Sequence, residues 1–256
     1  MGELIIIIDR LLKKILTETL EIDTEKSDCQ KFYYEILFIN IRLFEGAIFL
    51  LDQFKESTHF QVSFISIMRD IMSNLILAEY INQKENDSLA NIDEELEKIY
   101  SEHYRFKKKS KKIETILFSK FESYTQFEEY FDKVGEKYNS ENGEIKPHLK
   151  IIQSTYDRIR YIESKLKKYE KPGIRTLYLW YTEFSKIAHF GELTINQVAN
   201  KYNQSNEEQV FDNYGFLLIT VTKYILALYA KVLYPDSLEE SIMSDFDKLL
   251  EFENGT

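Results

Sequence analysis

Cysteine, proline and glycine are scarce in this chain of 256 residues, which has one, three and eight of them. A single thiol, Cys29, cannot form an internal disulfide or supply the paired thiolates of a zinc knuckle. The low glycine and proline content excludes collagen-like and linker-dominated proteins, and it leaves long stretches in which nothing stops a helix. The composition therefore favours a helical protein of a reducing compartment, which we expect to be the cytoplasm.

Sequence motifs for cofactors and metals are also missing. There is no GxGxxG segment and no GKS or GKT phosphate loop. The four histidines are too widely spaced for an HExxH site, and no acidic loop has calcium-binding spacing. We therefore expect neither a metal site nor a cofactor.

Positive charge is in deficit, because 33 basic side chains are outnumbered by 43 acidic ones and the formal net charge is -10. Sequence-independent wrapping of DNA rests mainly on neutralising phosphates with Lys and Arg, so we do not expect it. With 44% hydrophobic residues, the chain is too apolar for a disordered protein.

No export signal or membrane segment is predicted. The N-terminus lacks the basic start, long apolar stretch and cleavage site of a signal peptide. The longest mainly apolar stretch, 216–234, contains Lys223 and Lys231, whereas a membrane-spanning helix needs about 20 consecutive apolar residues. We interpret this stretch as a buried helix and expect no membrane partner.

Apolar residues recur at helical spacing along nearly the whole chain, and no strand-turn-strand pattern is present. We predict an all-α fold, a bundle of long helices in a single domain spanning 1–256. The most polar segment, 88–146, is predicted to be an insertion or subdomain. Nine helices are expected, of which the second, third, seventh and eighth supply most of the core: 3–22, 29–54, 59–84, 89–110, 123–139, 147–170, 173–190, 207–234 and 236–252.

One face of the predicted helix 173–190 is uncharged, polar and aromatic. At about 100° of rotation per residue, the five side chains of this face lie within an arc of roughly 100° around the helix axis. A face that meets only water usually fills with Lys and Glu, so this one suits a packed interface or a pocket. Ser185 and His189 are surface neighbours four residues apart, and His189 either titrates in a site or merely bonds a backbone carbonyl. The face consists of Tyr178, Tyr181, Thr182, Ser185 and His189.

The predicted helix 59–84 places Arg69 among short or uncharged neighbours. A guanidinium in such a position must find carboxylates, carbonyls or a phosphate. Two interpretations stay open, a structural pair with Asp70 or Glu79 and a phosphate contact. On the preceding helix, Arg42 and Glu45 are three residues apart and are predicted to form a structural ion pair.

Two stretches together resemble a known family. Residues 36–81, with Arg42, Glu45 and the segment Ser66-Ile67-Met68-Arg69-Asp70, are similar to the paired long helices of uncharacterised bacterial proteins in or near the HEPN superfamily. Residues 181–189 look like their Tyr-x-x-x-Ser-x-x-x-His helix. The resemblance covers about a quarter of the chain.

The resemblance implies an all-α, HEPN-like bundle, usually dimeric, from prokaryotic stress, toxin-antitoxin or phage-defence systems. Many such proteins cut RNA without a metal, using an Arg-x(4 to 6)-His motif. For this chain, the resemblance would make His189 the proton donor or acceptor, Ser185 and Tyr181 positioning groups, and Arg69 the phosphate contact. This chain departs from that motif, because Thr182, Glu183 and Phe184 stand where the arginine would be and the nearest upstream arginine is Arg175.

A basic run is the part of the sequence that favours contact with RNA. It has six positive charges in eight residues, and Tyr104 and Phe106 beside it are candidates for stacking on bases. A solvated face or loop is the alternative interpretation. The six residues are Arg105, Lys107, Lys108, Lys109, Lys111 and Lys112.

Two hypotheses about function follow. The first is a HEPN-like protein that cuts or binds RNA in stress or phage defence, with RNA, a second copy or a cognate antitoxin or defence protein as partner. The second is a non-catalytic interaction or regulatory protein whose polar stripes seal a helix interface.

Overall fold

A computed structural model of the protein describes residues 2–20, 27–53, 60–118, 133–150, 153–188 and 207–233. Throughout these ranges the fold is all-helical, without a strand, which confirms the predicted all-α class. The regular elements are α1 (Gly2–Leu20), α2 (Asp28–Gln53), α3 (Phe60–Glu85), α4 (Ile92–Phe118), a short 3-10 helix (Pro147–Leu149), α5 (Thr155–Lys165), α6 (Lys171–Ala188) and α7 (Glu207–Leu233).

Several helices begin at residues whose side chains satisfy the free N–H groups of the first turn. At α2, the Gln30 N–H donates to Ser27 Oγ at 3.3 Å, and Gln30 Oε1 accepts from the Ser27 N–H at 3.4 Å. At α4, the Glu94 N–H donates to Asn91 Oδ1 at 3.3 Å. Local capping therefore fixes these starts.

The prediction of one helix over 147–170 is wrong. Pro147 begins a 3-10 helix of only three residues, and α5 starts at Thr155. Ser154 forms a reciprocal cap with Asp157, in which the Ser154 N–H donates to Asp157 Oδ2 at 3.1 Å and the Asp157 N–H donates to Ser154 Oγ at 3.2 Å. This cap starts a new helix, so the earlier turn does not continue into it.

The other predicted helices within the described residues agree with the structure to within about three residues, with α4 as the exception. That helix runs to Phe118 and so includes the whole basic run, because no glycine or proline interrupts it. Residues 133–138 are helical and belong to the predicted helix 123–139, whose earlier part lies outside the described residues. The predicted helix 236–252 also lies outside them.

The chain divides into two compact units, one formed by 1–80 and 158–256 and the other by 81–157. The segment predicted as an insertion, 88–146, falls within the second unit, whose limits are wider at both ends. That the two units make up a single domain stays a prediction.

The core of the first unit is built on α1, α2 and α7, which pack against one another. An apolar stripe of α3 is buried, and it consists of Phe64, Met68, Ile71, Leu75 and Ala78. The Phe64 ring meets the Tyr214 ring of α7 edge to face, with centroids 5.0 Å apart. Between α2 and α3, Asn74 Nδ2 donates to Oδ1 of the fully buried Asn40 at 3.1 Å.

Helix α7 contains the predicted buried stretch. Residues Tyr214–Val232 are the part of the described chain long and apolar enough to cross a membrane by length and composition, and most of that stretch is buried in the structure. Leu217, Leu218 and Val221 are fully enclosed, as expected of a core helix.

The second unit has a small core in which Tyr104, Tyr138 and Leu149 are buried. The Tyr104 and Tyr138 rings lie 5.5 Å apart, and Asn139 Nδ2 donates to the Tyr104 hydroxyl at 2.7 Å. A turn follows at 140–144, closed by the Ser140 N–H donating to the Glu144 carbonyl at 2.7 Å. Gly143 has φ +71° there, a conformation that favours glycine.

Candidate functional site

The polar face of α6 is partly formed in the structure. The Tyr178 and Tyr181 rings stack with centroids 6.2 Å apart and an interplanar angle of 21°. Thr182 Oγ1 donates to the Tyr178 carbonyl one turn back at 2.8 Å, so its hydroxyl is engaged within the helix. All three side chains are half-buried, as expected of a face at an interface.

Ser185 is the polar group of α6 with unmet bonding capacity. Its Oγ is buried and has no hydrogen-bond partner in the described part of the chain. Leaving a buried hydroxyl unpaired costs about 1–3 kcal/mol. His189, the predicted partner four residues on, lies outside the described residues, so the Ser185-His189 pair stays a prediction.

An apolar stripe runs along α6 beside its polar face. Leu177 and Phe184 are buried, and the Trp180 and Phe184 rings meet edge to face with centroids 5.4 Å apart. Leu179 on the outer side is 60% exposed. The apolar stripe therefore holds α6 to the first unit and leaves the Tyr178 and Tyr181 flank beside it.

Arg69, the predicted phosphate contact, bonds a carboxylate. Its Nε and Nη2 both donate to Asp70 Oδ1, at 3.0 and 2.6 Å. The Arg69 side chain is 25% exposed and that of Asp70 is 51% exposed, so the pair is open to water on one side. Of the two interpretations left open by the sequence, the structure contains the pair with Asp70.

Two further arginines of the first unit, Arg42 and Arg175, are also paired with carboxylates. Arg42 Nη1 lies 3.1 Å from Glu45 Oε2, which confirms the predicted ion pair on α2. Arg175, the nearest arginine before His189 in sequence, donates through Nε to Glu163 Oε1 and so links α6 to α5. Each of these guanidiniums has a negative partner within the first unit.

The basic run of α4 is partly directed into the second unit. Arg105 is 9% exposed, and its Nη1 donates to the Leu149 carbonyl. Burial lowers the pKa of Arg105 below its usual value, although Glu102 acts in the opposite direction. Lys108 Nζ donates to Asn139 Oδ1 at 2.9 Å and to the Gly143 carbonyl at 2.6 Å.

These contacts separate the RNA-binding candidates into two groups. Arg105 and Lys108 bond backbone and side-chain oxygens of their own unit. The Tyr104 ring is 3% exposed and is therefore not available to stack on bases. The side chains of Phe106, Lys107, Lys109, Lys111 and Lys112 lie outside the described residues, and contact between this run and RNA stays a prediction.

One arrangement near the start of α6 was missed by the sequence reasoning. The Tyr224 hydroxyl of α7 lies 3.3 Å from the point that a Cβ on Gly173 would occupy, so glycine permits the close approach. Burial, with Glu79 of α3 as a second cause, raises the pKa of Tyr224 to about 12. No local pattern in the sequence predicts this contact, because Gly173 and Tyr224 are far apart in sequence and meet only in the folded chain.

The described residues contain no candidate metal site, because no three His, Cys, Asp or Glu side chains lie close enough together to hold an ion. His148 Nε2 lies 3.3 Å from Glu97 Oε2 on the surface of the second unit, and Lys146 Nζ lies 3.9 Å from Oε1 of the same carboxylate. No model of a protein family, no curated protein and no solved structure matches the chain.

Proposed function

We propose that this protein is a HEPN-like helical protein of prokaryotic stress or phage defence that acts by binding a partner without cutting RNA. The long helices α2 and α3, which meet at the Asn74–Asn40 hydrogen bond, and an α6 that carries Tyr181 and Ser185 support this assignment. A cytoplasmic setting, and a second copy or a cognate antitoxin or defence protein as partner, belong to the same proposal.

The observation that carries the non-catalytic assignment is that Arg69 and Arg175 are both paired with carboxylates. Arg69 bonds Asp70 and Arg175 bonds Glu163. Metal-independent cleavage needs positive charge where charge develops on the phosphate, and such electrostatic stabilisation is usually a large part of catalysis. A carboxylate in contact with the guanidinium offsets that charge and repels the phosphate, so neither arginine is poised for this role.

A metal-independent endoribonuclease is the second candidate, favoured by Ser185. A buried hydroxyl without a partner, one helical turn before His189, is suited to hold a 2'-hydroxyl or a phosphate oxygen. In this mechanism His189 moves the proton, Ser185 and Tyr181 position the substrate, and Arg69 exchanges Asp70 for the phosphate. General acid-base catalysis by such a histidine is worth about 10² to 10⁴ in rate.

An RNA cleavage assay distinguishes the two candidates. Total RNA is incubated with the wild-type protein, His189→Ala and His148→Ala, the last being a matched control in the second unit. We expect no cleavage by any of the three. Cleavage by the wild type and His148→Ala that is lost in His189→Ala would overturn the binding proposal and establish the ribonuclease.

A separate measurement tests the partner. Light scattering after size-exclusion chromatography gives the mass of the purified chain, and we expect a dimer. Leu179→Glu and Tyr181→Glu, on the outer part of α6, would convert that dimer to a monomer if α6 forms the interface. Leu89→Glu, at a residue 94% exposed in the second unit, is the control and should leave the mass unchanged.

A further inference from the structure

A second basic segment lies in the first unit, and several of its lysines are exposed. Between Arg158 and Arg175 there are seven basic and two acidic side chains, whereas the rest of the chain has 26 basic and 41 acidic ones. The centre of this segment is the connection from α5 to α6, residues 165–171, which we name the α5-α6 tip. Its charged residues are Lys165, Lys167, Lys168, Glu170 and Lys171.

Hydrogen bonds fix the backbone of the α5-α6 tip. The Lys167 N–H donates to Glu170 Oε2 at 2.8 Å, and the Glu170 N–H donates to the Lys167 carbonyl at 3.0 Å. The Arg175–Glu163 ion pair joins the two helices just behind the tip. A defined turn of this kind presents its side chains without a large ordering cost on binding.

An aromatic ring lies among these cations. Tyr169 is 72% exposed, and Lys167 Nζ is 5.8 Å from the centroid of its ring. Lys167 and Lys168 are exposed, and Lys171 is half-buried at the first residue of α6. The N-terminal end of α6 adds the positive partial charge of the helix dipole to the same place.

We propose that the α5-α6 tip binds single-stranded nucleic acid, with Lys167, Lys168 and Lys171 contacting phosphates and the Tyr169 ring stacking on a base. Lysines supply the sequence-independent attraction for the backbone, and an exposed aromatic ring accepts any base on its face. The charge of the segment complements a polyanion even though the whole chain is acidic.

The composition of the tip favours nucleic acid over an acidic membrane surface. Tyr169 is its one exposed large apolar side chain among the described residues, and Leu166 is half-buried. Binding to a lipid surface relies on a larger apolar face that enters the boundary of the acyl chains. A lone ring flanked by ammonium groups is suited to stacking.

This site is separate from the far end of α6. Ser185 is fourteen residues beyond Lys171, which is about 21 Å along a helix at 1.5 Å per residue. The inference therefore does not depend on His189 or on whether the chain cuts RNA. It adds a ligand class and a location to the partner-binding role proposed above.

Fluorescence anisotropy with labelled U20 and dT20 oligonucleotides tests the inference. The wild type is compared with Lys167→Gln/Lys168→Gln, Tyr169→Ala and Tyr169→Phe. The matched control is Lys133→Gln/Lys137→Gln, which removes the same charge from exposed lysines, one of them 5.5 Å from the Tyr138 ring centroid. Circular dichroism confirms that each variant is folded.

We expect the wild type and the control to bind at least one oligonucleotide. The Lys167→Gln/Lys168→Gln variant should bind more weakly, and its salt dependence should fall by about 1.4 in log-log slope, since each phosphate contact on a single strand contributes about 0.7. Tyr169→Ala should weaken binding by roughly fivefold to a hundredfold and Tyr169→Phe should restore it, because stacking needs the ring and not the hydroxyl.

Three results would overturn the inference. They are the absence of binding by the wild type, an equal loss in the control and the tip variant, and binding to phosphatidylserine vesicles without binding to either oligonucleotide. The RNA cleavage assay is independent of all three. Cleavage that depends on His189 would remove the non-catalytic proposal and leave the tip untouched.

Discussion

The basic run of α4 and the α5-α6 tip are both rich in positive charge, but their cations have different surroundings. In the run, Arg105 is buried against the Leu149 carbonyl and Lys108 bonds Asn139 and the Gly143 carbonyl. In the tip, Lys167 and Lys168 are exposed and lie beside an exposed Tyr169. The density of positive charge in a sequence therefore does not indicate how many of the cations are exposed and how many bond within the protein.

The physical reason lies in what surrounds each segment. Around α4, the turn at 140–144 and the 3-10 helix present carbonyl oxygens that lack helical partners, and long cationic side chains reach them while their apolar stems pack. In the tip, the Lys167 N–H donates to Glu170 Oε2 and the Glu170 N–H donates to the Lys167 carbonyl, so the turn is closed by Glu170 and by its own backbone. The side chains of Lys167 and Lys168 are exposed there.

Arg105→Ala gives the largest expected change and tests whether the run is structural. Loss of a charged hydrogen bond that leaves the Leu149 carbonyl buried should lower the free energy of unfolding of the second unit by about 2 kcal/mol. Urea unfolding measures the change, and hydrogen exchange at 138–149 locates it. If stability were unchanged and oligonucleotide binding became weaker, Arg105 would not be structural, and the run on α4 would be the nucleic-acid surface.

Tyr224 tests how the start of α6 is held against α7. Because burial raises the pKa of Tyr224 to about 12 in the folded protein, the unfolded chain loses this proton first as the pH rises above 10. The folded state then binds more protons, so its stability falls between about pH 10 and pH 12, by roughly 1–2 kcal/mol.

Unfolding of the wild type and Tyr224→Phe across this pH range measures the effect. The difference in stability between the two should change with pH and level off above pH 12. A constant difference would mean that the Tyr224 hydroxyl is not held in its neutral form.

Lys108→Met is expected to have a smaller effect, about 1 kcal/mol, since the side chain is half-buried and its stem is retained. The lost bonds tie the Asn139 side chain and the Gly143 carbonyl to α4, so hydrogen exchange should accelerate at 139–145 specifically. Lys137→Met, on an exposed neighbour, serves as the control. Equal exchange rates in both variants would show that Lys108 does not hold the turn.

Glu163→Gln should have the smallest effect on stability, below about 0.5 kcal/mol, because its partner Arg175 is 64% exposed. The same change removes a negative charge near the tip and should tighten oligonucleotide binding slightly. Glu97→Gln removes an equal charge from the second unit and is the control. Equal tightening by both would show that net charge alone, and not the tip, governs binding.

The sequence was a good guide to the helices and a poor guide to their interruptions. Apolar spacing predicted the helix 59–84 and the buried α7, and both are present, because burial of an amphipathic face is a local periodic signal. The break before α5 was missed, although Ser154 and Asp157 have the spacing of a reciprocal cap. For the candidate site, Ser185 and Tyr181 were predicted from their helical spacing and lie on α6, and their role stays a prediction, whereas the close approach of Gly173 to Tyr224 has no local signal.

By itself, the sequence determined that the chain is helical, since few residues stop a helix and the apolar pattern repeats at the right period. Tertiary structure alone decided the partners of Arg105 and Lys108, whereas the local pairs Arg42–Glu45 and Arg69–Asp70 could be proposed from their spacing. Arg105 and the Leu149 carbonyl are 44 residues apart, and Lys108 and Gly143 are 35 apart. Bonds over such separations depend on how folded segments come together, which no local spacing records.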